Sequence, residues 1–289
     1  MTGPERGFLL LTSHLGDPAR NPLTTAQLRN LASRVRQMNW KDSIRDLDRE
    51  DLLDLGYDPE TAQRILTLMT QEPELERYLQ RGREAGCVPI CRGGEDYPAR
   101  LRNALGWDAP GCLWAKGDRS LLEKPAVALV GSRDLRMDSA RFAWEAGAQA
   151  ARQGYVLISG NARGADREAQ EACLSRGGQV ISVVADSLRN CPDREGVLWL
   201  SEDDFDLPFS PRRALSRNRV IHALCLVTLV AQCDLGKGGT WDGTVKNLRN
   251  KWSPVFCFAD GGEGARELET RGAGKITVAQ LRNIANLYE

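Results

Sequence analysis

A run of apolar residues, Val127-Ala128-Leu129-Val130, stops at Gly131-Ser132-Arg133 and gives way to a helical pattern, and this punctuation has two echoes. Ser159-Gly160-Asn161-Ala162-Arg163-Gly164-Ala165-Asp166 follows an apolar stretch over 155–158, and Arg217-Asn218-Arg219 stands just before another. Short apolar runs alternating with helical patterns are what a parallel sheet covered on both faces requires, because its strands meet no solvent. Strands are expected at 88–91, 126–130, 155–158, 180–185, 197–200, 226–230 and 255–258, with helices near 139–152, 165–176, 211–224 and 240–251. Ligands on such sheets bind beyond the carboxyl ends of the strands, where these turns fall. Glycine lets backbone approach a bound group, a helix start points bare N–H groups at it, and arginine supplies a forked cation. Together with Gly236-Lys237-Gly238-Gly239-Thr240 after a fourth strand, the turns describe a phosphate-reading groove.

Charge bounds how such a groove could work. The chain carries 39 basic and 39 acidic side chains in 289 residues, so attraction to nucleic acid has to come from a local patch. Arg212, Arg213, Arg217 and Arg219 crowd eight residues immediately after the acidic run Glu202-Asp203-Asp204-Phe205-Asp206. Eight cysteines are scattered; Cys87-x-x-x-Cys91 has no second pair, and only His14 and His222 exist to help, which is a poor zinc pattern. Reduced, mostly buried thiols and no metal are expected. No stretch reaches the length of a membrane span and no basic leader precedes the first apolar run, so a cytoplasmic protein is expected.

The rhythm changes near residue 85. Before it, the pattern is helical: Thr24 or Thr25 can cap a helix with the apolar face Leu28, Leu31, Val35 and Met38. Asp58-Pro59-Glu60 starts another, with Ile65, Leu66 and Met69 inward, and a polar helix follows from about 74 to 85. Two domains are expected, a small all-α one at 1–85, similar to sterile-alpha or helix-hairpin-helix modules, and an α/β one at 86–289.

The turns also carry a family resemblance. Val130-Gly131-Ser132-Arg133, Ser159-Gly160-x-Ala162-Arg163-Gly164-x-Asp166, Gly177-Gly178, Leu200-Ser201-Glu202 and Arg217-Asn218-Arg219 stand in the order found in the DNA-processing protein A family (DprA, also called Smf). Asp96-Tyr97-Pro98 with Leu101, and Leu113-x-x-Lys116-Gly117, look like that family too. The resemblance covers most of 50–258. It implies an extended Rossmann-like parallel sheet with helices on both faces, single-stranded DNA bound in a basic pocket without a cofactor, a homodimer, and delivery of the strand to a RecA-type recombinase in DNA uptake and recombination. The chain departs from the family pattern at Ala231-Gln232-Cys233-Asp234, where an acidic residue and a Ser-Gly turn are usual, and at Gln170, where a histidine is usual. About two dozen residues follow the last expected strand, so a divergent member lacking the C-terminal winged helix is expected, and a defence-linked accessory role stays open.

In the binding reading, Gly131, Ser132, Ser159, Gly160 and Gly164 present N–H groups to phosphate, Arg133, Arg163, Arg217 and Arg219 supply charge, and Lys237 extends the track. Asn218, Gly239 and Thr240 complete the groove. Asp166 is expected to orient Arg163 or cap its helix, and Phe205, Phe209 and Trp241 are the adjacent aromatics that could stack on bases. A rival reading stays open: Gly238-Gly239-Thr240 with Thr244 looks like the phosphate turn of the lysine-decarboxylase-like nucleotide phosphoribohydrolases and nucleotide sensors. That chemistry needs a glutamate, and only Asp242 is near; His222 reads as a core histidine. Binding is therefore favoured over catalysis.

Overall fold

Four polar residues set the starts of the first helices, each accepting from a first-turn N–H that the helix leaves without a partner. Thr2 opens α1 (Gly3–Thr12), Thr24 opens α2 (Thr25–Gln37), Asp48 opens α3 (Arg49–Asp54) and Asp58 opens α4 (Pro59–Met69). A fifth helix, α5 (Glu72–Glu84), carries a proline in its first turn instead of a side-chain cap. The structure is a computed structural model that describes residues 1–38 and 46–288. Leu28, Leu31 and Val35 pack with Leu11, Leu52, Ile65 and Leu68 in one cluster. Met38 does not join them: α2 ends at Gln37, which leaves Met38 exposed as the capping residue.

Contacts group Met1–Ala115 with Glu202–Leu207 as one unit, and the change of rhythm at residue 85 falls inside it. The unit includes β1 (Val88–Cys91), α6 (Ala99–Leu105) and most of β2 (Cys112–Lys116), which pairs antiparallel with β1. An aromatic knot explains this membership. Trp114 of β2 meets Tyr78 of α5 edge-on at 5.5 Å, and Phe205 lies 4.8 Å from each. Phe205 is thus core, not a platform for bases.

The acidic run at 202–206 is an anchor within this unit. Asp206 accepts from the Tyr78 hydroxyl at 2.6 Å and from Arg81 at 2.9 Å, and buried Asp204 accepts the His14 backbone N–H at 2.6 Å. Burial pushes the Asp204 carboxyl up to about 6, against the opposing bonds from Ser13 and His14. A carboxyl raised in the folded state binds its proton more tightly there than in the unfolded chain. Its stabilising effect is therefore present at low pH and lost as pH rises from about 4 to about 6. The Asp204→Asn variant should lack this dependence. Between about pH 4 and about pH 7 the difference in unfolding free energy should move by about 2 kcal/mol in the variant's favour. Urea titrations of both proteins at each pH check it; a constant difference contradicts the assignment.

The second unit, Lys116–Ser201 with Pro208–Glu289, holds the parallel sheet. Its strands are β3 (Ala126–Val130), β4 (Val156–Ser159), β5 (Gln179–Val183), β6 (Val197–Ser201), β7 (Val227–Val230), β8 (Val255–Phe258) and β9 (Gly274–Ile276). They run in the order β6-β5-β4-β3-β7-β8-β9, and every neighbouring pair is parallel. Strand order therefore reverses between β3 and β7. Helices α7 (Met137–Arg152), α8 (Ala165–Leu174) and α10 (Asn218–Leu224) pack against β3 and β4, and α11 (Gly238–Asn250) packs against β8. The single helix expected over 211–224 is two, α9 (Pro211–Ser216) and α10, joined at Arg217, whose side chain turns inward. A last helix, α12 (Glu263–Thr270), precedes β9. Among the described residues no helix is long and apolar enough to cross a membrane, and no cluster of histidine, cysteine and acidic side chains could hold a metal.

Candidate nucleic-acid interface

A parallel sheet whose order reverses leaves a crevice outside the carboxyl ends of the two strands at the reversal, because their crossover connections leave in opposite directions. Here those ends are Val130 of β3 and Val230 of β7. The crevice is a cavity of about 450 Å³. Gly131, Ser132 and Arg133 line it from the end of β3, Asp166 from α8, and Arg217 and Asn218 from the α9–α10 junction. Lys237, Gly239 and Thr240 line it from the start of α11. That helix has no side-chain cap at its N-terminus, so its first-turn N–H groups and the positive end of its dipole open on the cavity.

Five of the expected residues stand elsewhere. Ser159 is fully buried and accepts from Gln170 Nε2, so it is core. Gly160 is glycine for a packing reason: a Cβ there would overlap the Arg217 guanidinium. Gly164 has φ +87°, and a Cβ would come within 2.5 Å of the Ser132 and Arg133 carbonyl oxygens, so this glycine lets the two loops meet. Arg163 is exposed and pairs with Asp134 at 2.6 Å. Arg219 is half-buried on α10 outside the lining.

Two roles read from sequence change. Arg217 is 7% exposed; its Nη2 donates to the Gly160 carbonyl and its Nη1 to Asn218 Oδ1, each at 2.9 Å. It braces two loops from beneath rather than offering its full charge to a ligand. Asp166 neither orients Arg163 nor caps α8. Its carboxylate accepts the Gly160 and Ala162 N–H groups at 3.0 and 3.2 Å and so closes the loop after β4. Burial pushes this carboxyl up, and Arg217 is the largest influence opposing that.

The lining is not a simple basic track. Arg133, Arg217 and Lys237 face Asp134, Asp166 and Asp234. Asp134 is taken up by Arg163 and Asp166 by backbone N–H groups and Arg217, while Arg133 and Lys237 stand exposed at the rim. Of the other aromatics, Phe209 is exposed and Trp241 lies under the Arg271 guanidinium, 5.1 Å away. Asp242, the acid of the rival reading, pairs with Lys246 at 2.7 Å on α11 and is not among the lining residues. Sequence reasoning set aside one residue that does line the cavity, His222, one turn after Asn218 on α10.

A Rossmann-like sheet with an uncapped helix N-terminus and exposed cations at its switch point defines an α/β protein whose candidate ligand site is this crevice. The chain belongs to the DNA recombination-mediator protein A family, whose model matches residues 89–280. It is 29% identical over 187 residues to DNA processing protein DprA of Streptococcus pneumoniae, 60% of this chain and 66% of that protein. The matched part is thus just under two thirds of that relative's length. The X-ray structure of the same Streptococcus pneumoniae protein shares the fold, with a TM-score of 0.76 at 23% identity over 100% of this chain and 99% of the other. A structure of DNA processing protein A from Helicobacter pylori, described for its single-stranded DNA binding mode, matches with a TM-score of 0.59 at 26% identity. It covers 69% of this chain and 94% of that one.

Proposed function

We propose that this protein binds single-stranded DNA in the cytoplasm, seating the phosphate backbone across the β3–β7 crevice. The observation that carries this is the joint placement of exposed Arg133 and Lys237 with the uncapped N-terminus of α11 at the switch point. Helix N–H groups and cations together accept phosphate oxygens without regard to base sequence. The function is a binder's: the strand is held, and a homodimer delivers it to a RecA-type recombinase, as the family's role in recombination and the similarity to DNA processing protein A support. A second reading, a sensor of a free nucleoside monophosphate, is favoured by the size of the cavity, about 450 Å³.

Arg133→Ala and Lys237→Ala should each weaken binding of a labelled single strand by about tenfold, the worth of one charge-assisted contact. Each should also lower the slope of log affinity against log salt by about 0.7. Anisotropy titrations at several salt concentrations read both quantities. Unchanged affinity in the two variants removes the crevice from the account. Displacement of the strand by equimolar mononucleotide would favour the second reading.

A further inference from the structure

Two of the eight cysteines face each other across a strand pair. β1 and β2 run antiparallel with Cys91 directly opposite Cys112. The Arg92 N–H bonds the Gly111 carbonyl at 2.9 Å, which makes 92 and 111 a hydrogen-bonded position of the ladder. Such positions alternate along an antiparallel pair, so Cys91 and Cys112 occupy a non-hydrogen-bonded one. Pro89, which has no N–H to give, sits opposite Trp114 at the next position of the same kind, as the alternation requires. Non-hydrogen-bonded pairs bring their Cα atoms to about 4.5 Å, inside the span of roughly 4.4–6.8 Å that a disulfide bridges. The two Sγ atoms stand 3.0 Å apart, and both are free thiols. An S–S bond needs about 2.0 Å, so closing it takes a movement of only about 1 Å.

Access to the pair is limited but real. Cys91 is 2% exposed and Cys112 7%. β1 is the edge strand of the sheet, so no strand pairs along its outer side and a local opening there uncovers both sulfurs. Burial pushes the Cys112 thiol well above its usual range, which keeps its reactive thiolate scarce.

We propose that Cys91 and Cys112 are a reversible dithiol–disulfide site, which takes oxidising equivalents from a small-molecule disulfide and staples β1 to β2. One protein sulfur, as thiolate, attacks the small disulfide, forms a mixed disulfide and releases one small thiolate. The second protein thiol loses its proton, attacks the protein sulfur of the mixed disulfide and expels the other small thiol. The two protein thiols give up two protons and two electrons, and the small disulfide takes them and leaves as two thiols. The ring that closes runs from Cys91 to Cys112 and contains α6 and Trp107. Such a ring restricts the unfolded chain, so the oxidised protein is the more stable. The inference is independent of the crevice, whose lining residues all belong to the other unit.

The test keeps the folded wild-type protein in oxidised glutathione for a day, alkylates the remaining thiols and maps the tryptic peptides by mass spectrometry. Cleavage after Arg83 and Arg92 puts Cys87 and Cys91 on one peptide, 84–92, and cleavage after Arg102 and Lys116 puts Cys112 on another, 103–116. The two peptides should appear linked, and dithiothreitol should separate them. The link should persist in Cys87→Ser and vanish in Cys91→Ser and in Cys112→Ser. Oxidation should take hours near neutral pH and run faster as pH rises. The oxidised protein should melt roughly 5 °C or more above the reduced one. Alkylation of both cysteines after the full incubation overturns the proposal, as does glutathione retained on either. A link that forms only when the protein is unfolded in urea, or one that survives in Cys91→Ser, also contradicts it. An unchanged melting temperature on oxidation removes the staple. The mapping and the melting comparison use wild type alone, so they decide the matter even where a variant fails to fold.

Discussion

Arg217→Ala should lower the unfolding free energy by about 2–4 kcal/mol and cost most of the DNA binding as a consequence. The guanidinium is buried, so its removal does more than delete a charge. The Gly160 carbonyl loses its donor, and the buried Asp166 carboxylate loses the cation that most offsets its burial. Both groups hold the loop after β4, so the cavity wall loosens with them. Arg217→Lys should restore little, because an ammonium cannot reach Gly160 and Asn218 at once as the planar fork does. Exposed Arg133→Ala should stay within about 0.5 kcal/mol of wild type in the same urea titrations. If Arg217→Ala unfolds like Arg133→Ala, Arg217 is a ligand residue and the bracing role is wrong.

Gly147→Ala should be more damaging still, about 3 kcal/mol or more. Alanine is the better helix former by about 1 kcal/mol, so a site of open space would gain from the change. Gly147 is not such a site. A Cβ there would overlap the Ala169 carbonyl oxygen and press on its carbon and Cα, so the backbones of α7 and α8 are in direct contact at this point. Main chain cannot rotate away as a side-chain tip can, and the two helices must part along their length. Gly3→Ala in α1, where nothing lies within 4 Å of the added carbon, is the matched control and should be neutral or slightly stabilising. Thermal unfolding of both variants decides it; equal melting temperatures would mean that α7 and α8 pack less closely than described.

The parallel sheet was legible in the sequence because strands buried on both faces read as unbroken apolar runs, and the expected strand over 126–130 coincides with β3 (Ala126–Val130). β9 was not, because Gly274-Lys275-Ile276 is too short and too polar to stand out from a turn. β2 was not recognised either, since Cys112–Lys116 lacks the helix-strand rhythm that marks the other strands. Helix α1 passed for a weak apolar run, although Thr2 with Pro4 and Glu5 is a readable start signal.

The crevice was legible in outline for a local reason: glycine and arginine turns at strand ends are sequence-local features. What each residue does there was not. Arg133 and Arg217 look alike in a sequence, and only burial separates the rim cation from the brace. Asp166 reads as a helix cap from its position, yet its bonds run backward to Gly160 and Ala162 across a loop whose path spacing does not reveal. His222 joins Thr228, Asn247 and Ser253 in a buried hydrogen-bond network across distant parts of the chain, and no periodicity reports such a network.

The central claim is that the β3–β7 crevice holds a single DNA strand by its phosphates. Anisotropy of one labelled oligonucleotide, free and annealed to its complement, at about 50 mM and about 200 mM salt tests it most directly. The account predicts tighter binding of the single strand at both concentrations, with affinity falling roughly twentyfold between them, as three phosphate contacts to a single strand require. Equal affinity for strand and duplex, or an affinity that does not change with salt, would contradict it.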